Sequence, residues 1–294
     1  MSIIVRKAKY EDRQAAVAAE HKAVRNLYYL DEVWDQFYND ENGELLVGEV
    51  DGVVVAVGKY TTLPDRSVWL ETLRVDPQFQ GRGIGKAFYE RFVERATEYK
   101  TETMGMYTGT SNVVSKGLAE RYGFSLAATY RGASWKLPGG DEVDASEYIL
   151  SPGQEFSRAD AATATEMATP LFSNWDNHIV LNRTFYPATT GNIAGMARSG
   201  WAYHHEATKS FCILGSRFLK ERGLHLALCG GDVDTILAFA KAEVWRQQLP
   251  QVTIMFPPKN SEFEAALLAA GFVLEPSDCI VMARRDGYET GSVN

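Results

Sequence analysis

The stretch Leu73-Arg74-Val75-Asp76-Pro77-Gln78-Phe79-Gln80-Gly81-Arg82-Gly83-Ile84-Gly85-Lys86 decides how the chain is read. The β-rich run from Val68 to Val75 reads as a strand that Pro77 stops. From Ile84 to Tyr99 the apolar residues Ile84, Ala87, Phe88, Phe92, Ala96 and Tyr99 recur at helical spacing. The order is strand, glycine loop, helix. Alternating glycines let the backbone turn sharply and bring N–H groups to a ligand without Cβ obstruction. The positive end of the helix stands behind them, and Arg82 and Lys86 add charge, so the expected guest is a phosphate or diphosphate. The loop matches neither G-x-G-x-x-G of a dinucleotide fold nor the Walker pattern G-x-x-x-x-G-K-[ST]. A plain glycine-rich turn accounts for such a triple glycine equally well when it stands alone.

Outward from the loop, Ile3 to Val5 reads as a strand, Glu11 to Val24 as an amphipathic helix and Val33 to Tyr38 as a short helix. Strands are expected over Glu44 to Glu49 and Val53 to Thr61, joined at Asp51-Gly52, a strong hairpin signal. Beyond the glycine loop a strand over Met104 to Thr108 and a helix over Asn112 to Tyr122 are followed by two strands, Ser125 to Leu137 and Glu142 to Leu150. Breakers at Ser151-Pro152-Gly153-Gln154 place a boundary between domains 1–150 and 156–294.

The second half repeats the order weakly. Helical patterns over Ala161 to Phe172 and Gly191 to Ala197 precede β-rich runs at Trp201 to Glu206, Phe211 to Ser216 and Leu224 to Cys229. A helix over Val233 to Gln248, a strand over Gln251 to Phe256 and a helix over Ser261 to Ala270 follow, closed by Gly271-Phe272 as the first half's helix is closed by Gly123-Phe124. This reads as a degenerate internal duplication.

Composition agrees with two folded domains: 294 residues, 45% apolar and 23% charged, are ordinary for globular chains. The net charge of −8 divides as 18 basic against 23 acidic residues up to Leu150 and 12 against 15 after it, so neither half reads as a nucleic-acid-binding module. No apolar run reaches the roughly 18 residues of a membrane helix, and the start lacks a secretory h-region, so the expected location is cytoplasmic. Cys212, Cys229 and Cys279 stand singly and suggest neither disulfides nor a thiolate metal site. His204-His205, as strand neighbours, point to opposite faces and read as structural.

The run from Leu73 to Gly85 resembles the acyl-CoA motif of the GNAT superfamily of N-acetyltransferases, Gln/Arg-x-x-Gly-x-Gly/Ala, met here by Gln80, Gly83 and Gly85. Val75-Asp76-Pro77 before it, and Asn112 opening a helix that ends at Gly123-Phe124, fit the same family over the whole first half. The resemblance implies a mixed-sheet α/β fold in two tandem GNAT-like domains, with acetyl-CoA lying in a splay between the strand ending at Val75 and the strand Met104 to Thr108. Cofactor contacts would come from Leu73, Arg74 and Val75, from Gln80, Gly81, Arg82, Gly83, Ile84, Gly85 and Lys86, and from Asn112.

An amine must lose a proton before it attacks, and Glu71 is the candidate base. Strand alternation puts Trp69, Glu71, Leu73 and Val75 on one face. Many family members carry a tyrosine acid where this chain has Ala119, and Tyr122 groups with Val114 and Leu118 in an apolar stripe, so no acid is assigned. The aromatic residues Tyr28, Tyr29, Trp34 and Phe37 lie where the family builds its acceptor helices. In the second half Asp232 and Asp234 stand where a diphosphate would sit, which implies a domain without cofactor. The expected activity is acetyl transfer from acetyl-CoA to a primary amine of a small molecule or peptide by direct attack, in a monomer or homodimer. The alternative is a non-catalytic acyl-CoA-binding regulator, motivated by Ala119 and the degenerate second half.

Overall fold

The Asp51-Gly52 dipeptide turns as its composition predicts. Asp51 has φ 49° and Gly52 φ 84° in a computed structural model of the chain, which describes residues 2–24, 28–139, 148–150 and 155–285. The turn joins the centre of a meander in the first of two units, made of the residues up to Ala127 with those from Met282 on. This unit runs β1 (Ile3–Lys7), α1 (Arg13–Ala23), α2 (Leu30–Tyr38), β2 (Gly43–Val50), β3 (Val53–Thr62), β4 (Val68–Val75), α3 (Ile84–Glu98), β5 (Thr103–Gly109), α4 (Val113–Arg121) and the start of β6 (Ser125–Lys136). Strands β1 to β4 pair antiparallel in order, and β5 joins β4 in parallel, so the sheet is mixed.

Two layers of helix cover this sheet. On one face α3 buries Ile84, Phe88 and Phe92. It lies so close that a Cβ on Gly58 of β3 would meet the Phe88 ring at 2.8 Å. On the other face α2 buries Val33, Trp34 and Phe37, and the fully buried Lys59 of β3 lies under Phe37 and pairs with Asp40. Truncating Phe88 to alanine in such a core typically costs about 3–5 kcal/mol.

The second unit comprises residues from Ala128 to Val281. It holds the rest of β6, then β7 (Ser157–Arg158), α5 (Ala161–Ala168), β8 (His178–Leu181), β9 (Thr184–Pro187), α6 (Thr190–Arg198), β10 (Ala202–His205), β11 (Ser210–Gly215), β12 (Leu224–Gly230), α7 (Val233–Arg246), β13 (Gln251–Phe256), α8 (Ser261–Ala269), β14 (Val273–Leu274) and the first residues of β15 (Cys279–Arg285). Here β12 and β13 are the parallel pair, β11 and β10 follow β12 antiparallel, and β6 flanks β13.

The packing division falls inside β6, whose later residues pair with β13; the segment 151–154, expected as the boundary, lies outside the described residues. Of the strand expected over 142–150, residues 142–147 also lie outside them, and 148–150 are not extended. The helix expected to Phe172 ends at Ala168 and tightens into a 3-10 turn over Thr169–Trp175, as Pro170 cannot donate to a regular helix. No described helix is long and apolar enough to cross a membrane.

Candidate active site

β4 and β5 pair only at Val68↔Met104 and Trp69↔Gly105. Past these two rungs the register ends, and the edge of β4 from Leu70 to Val75 has no ladder to β5. On its other edge β4 carries a bulge: Glu71 pairs with Lys59 and Arg74 with Val57, so three steps on β4 match two on β3. Thr72 sits in the bulge at φ 62°. A β-branched residue is rarely found in this left-handed region, at a typical cost of about 1–3 kcal/mol. The buried Thr72 is held there by a 2.8 Å hydrogen bond shared between its hydroxyl and that of Tyr29.

The bulge overturns the expected side-chain phase. Trp69, Glu71 and Arg74 fall on the face of Lys59 and Val57, towards α2, whereas Val75 pairs with Ala56 and, with Leu73, falls on the α3 face. Regular alternation would have put all four of Trp69, Glu71, Leu73 and Val75 together. One inserted residue reverses the phase beyond Thr72.

Glu71 is half-buried and accepts a 2.6 Å hydrogen bond from the Thr61 hydroxyl. Trp69 stacks with Tyr107 of β5 at 6.3 Å and 4°, on the same face. Tyr29 closes this group from the α1–α2 connection. Burial pushes its phenol well above the ordinary range; the charge of Arg74 opposes the shift and that of Glu71 adds to it. Behind Tyr29 the fully buried Glu20 of α1 accepts from the backbone N–H of Leu30 at 3.1 Å and of Tyr29 at 3.3 Å. Burial raises the Glu20 carboxyl more than these bonds and Arg74 lower it. Asp76 ties α1 to the end of β4: burial pushes its carboxyl up, but the Lys22 ammonium at 2.7 Å and the Gln78 N–H outweigh this and hold it low.

Around the glycine loop, Gly81 at φ 74° and Gly83 at φ 90° adopt a conformation that favours glycine, and nothing lies within 4 Å of where a Cβ would stand on either. Gly83 is the N-cap of α3 and brings no capping side chain, so the first N–H groups of Ile84, Gly85 and Lys86 have no intrahelical acceptor. Gly85 serves differently: a Cβ there would meet Leu118 of α4 at 3.0 Å, which makes it a packing residue. Gln80 folds back, its Nε2 donating to Val75 O at 3.0 Å, and Arg82 donates to Gln78 O at 3.0 Å while lying over the Phe79 ring. Lys86 is exposed beside Glu90. Asn112 is the exposed N-cap of α4 and accepts from Ser115 N–H at 3.1 Å.

Ala119 is fully buried, and the apolar stripe expected around Tyr122 is not a core: Val114 is 78% exposed. The Tyr122 hydroxyl donates to Lys86 O at 3.1 Å, which ties α4 to α3. Sequence reading missed Thr72, because nothing in the letters marks a threonine for positive φ. It treated Tyr29 only as one of several aromatics. A cavity of about 370 Å³ in the second unit, lined by Trp135, Tyr148, Asp234, Leu237 and Lys241, includes none of the expected site residues.

Residues 11–124 match the model of the acetyltransferase (GNAT) family. A GCN5-related N-acetyltransferase from Sphaerobacter thermophilus resembles the fold with a TM-score of 0.63 and 13% identity, over 97% of this chain and 96% of its own. Another from Kribbella flavida does so with a TM-score of 0.52 and 13% identity, over 97% of this chain and 71% of its own. At these identities the likeness is one of fold. No curated protein matches the sequence. Residues 11–124 thus resemble a GNAT acetyltransferase domain, and the fold is the mixed α/β fold of these neighbours.

Proposed function

We propose that the protein transfers an acetyl group from acetyl-CoA to the primary amine of a small molecule or peptide by direct attack. The observation that carries this reading is the opening of β4 from β5 after two rungs, beside a helix start whose N-cap contributes backbone amides and no side chain. The bare approach to Gly81 and Gly83 fits a diphosphate, and the amides of Gly81 to Lys86 would hold it, with Lys86 as a neighbouring cation. Leu73, Arg74 and Val75 would offer main-chain groups along the unladdered edge, and Asn112 would meet the far end of the pantetheine arm. An acyl-CoA, when bound, supplies the thioester. The chain would align the acceptor beside it, which replaces a random encounter by a positioned one, and the N–H of Leu73 would steady the developing oxyanion.

Glu71 takes one proton from the acceptor ammonium. The C–N bond forms as the C–S bond breaks, the nitrogen gives its second proton to water, and water protonates the thiolate, so the products are the amide, the free thiol and one proton. No acid is assigned in place of the tyrosine that Ala119 replaces; a thiolate of ordinary pKa, about 8.5 for a free thiol, can leave without a dedicated acid. In the second unit the aspartates at the start of α7 support a GNAT-like domain that holds no acyl-CoA.

Thiol release from acetyl-CoA across a panel of amines tests the reading. Glu71→Gln should lower kcat by about 10²- to 10⁴-fold with acetyl-CoA affinity retained. Acetyl-CoA binding without turnover on any amine would assign a regulator instead, and loss of binding in the wild type would remove both.

A further inference from the structure

Arg74 stands on the acceptor side of β4 without an ionic partner. The bulge turns it to the face of Glu71, and its charge acts on Tyr29 and Glu20, yet no carboxylate oxygen lies within 4 Å of it among the described residues. Among the described residues it makes one hydrogen bond, Nη1 to its neighbour Leu73 O at 3.2 Å, and its buried Nε has no acceptor. Half-buried arginines are ordinarily paired, since the guanidinium presents a fork that matches a carboxylate along the Nε–Nη2 edge. Here that edge is the unmatched one. Glu20, which could neutralise it, spends Oε2 on the Tyr29 and Leu30 amides and keeps Oε1 without a partner, so the two groups have not been brought into contact.

Spacing supplies the second observation. The partners of Glu71 and Arg74 on β3, Lys59 and Val57, are two residues apart, which separates the carboxylate and guanidinium stems by about 7 Å along the strand. That is the reach of a small amino acid with a hydrogen bond at each end. Resting on the acyl-transfer reading above, we propose that the acceptor is a small amino acid, or an equivalent amine bearing a carboxylate, whose carboxylate pairs with Arg74 while its amine meets Glu71. Arg74 is thereby a specificity residue for the acceptor, in addition to its main-chain place on the acyl-CoA edge.

The test compares acceptors that differ only in that charge: glycine with glycinamide, L-leucine with L-leucinamide, and spermidine and tyramine as amines without a carboxylate. Thiol release from acetyl-CoA is followed with wild type, Arg74→Gln and Arg74→Lys. The wild type should favour the carboxylate member of a pair by about 10-fold or more in kcat/KM. Arg74→Gln should shrink the preference, raising the acceptor KM of the carboxylate member far more than that of the amide member and far more than the KM for acetyl-CoA, and Arg74→Lys, which keeps the charge and loses the fork, should restore part of it. Equal use of both members by the wild type, or transfer confined to spermidine and tyramine, overturns the proposal while acyl transfer stands. So does an Arg74→Gln defect that falls alike on both members or on the KM for acetyl-CoA, the result a structural role would give. Absence of thiol release with every amine removes the acyl-transfer reading and this inference with it.

Discussion

The loops that start α3 and α7 share a plan, strand then glycine turn then helix, and finish it in opposite ways. At α3 the cap is Gly83, with open space where a side chain would be, so the amides of the first turn face outwards without an internal acceptor. At α7 the cap is Asp232, whose carboxylate accepts from Thr235 N–H at 2.8 Å. Its own N–H donates to the Ser210 hydroxyl at 2.9 Å, and Gly231 lies so close to Ser210 that a Cβ would meet its Cα at 2.6 Å. One loop leaves its donors without a local acceptor, and the other consumes them within the fold. The difference teaches that an anion site is made less by glycines, which both loops have, than by the lack of a local acceptor.

That contrast can be broken by making one loop into the other. Gly83→Asp would place a capping carboxylate on α3 where the diphosphate is expected, repelling it and occupying the amides. Acetyl-CoA affinity, measured by calorimetry, should fall by about 10²-fold or more, since like charges a few ångströms apart near a protein surface oppose each other by several kcal/mol. Unchanged affinity would mean that the α3 amides do not hold the diphosphate. A smaller effect is expected from the reverse change: Asp232→Ala should cost about 1 kcal/mol of stability in chemical denaturation through the lost cap.

The Asp232 carboxyl is held below its ordinary value by the hydrogen bond from Thr235. Its contribution is therefore present above the unfolded carboxylate pKa and is lost as the pH falls through the lower folded one, so wild type and Asp232→Ala should converge in strong acid. A gap that persists there would point to packing instead. The smallest change is Lys86→Ala. Lys86 is exposed and shares its charge with Glu90, so acetyl-CoA affinity should drop about 2- to 4-fold at low salt and less at high salt. A loss that salt leaves untouched would show that Lys86 acts by other than its charge.

Much of the first unit was legible. The limits of β4 and the start of α3 agree with the sequence reading, because proline, glycine and apolar spacing act locally and mark their own boundaries. That reading treated the three glycines alike, however, and only the contact of Gly85 with Leu118 separates packing from ligand approach. In the second unit the β8–β9 hairpin was missed although Asn182-Arg183, both at positive φ between β-rich runs, carried a signal for it. The last strand, β15, was missed as well.

By itself the sequence determined the order of strands and helices in the first unit and the glycine turn, since each follows from residue types within one or two turns of the chain. Tertiary structure alone decided where the side chains of β4 point. The bulge at Thr72 exists because the Tyr29 hydroxyl, 43 residues away, and the pairing with β3 together hold a threonine in a left-handed conformation it would not take unaided. That long-range constraint, and no local preference, turns Arg74 to the face of Glu71.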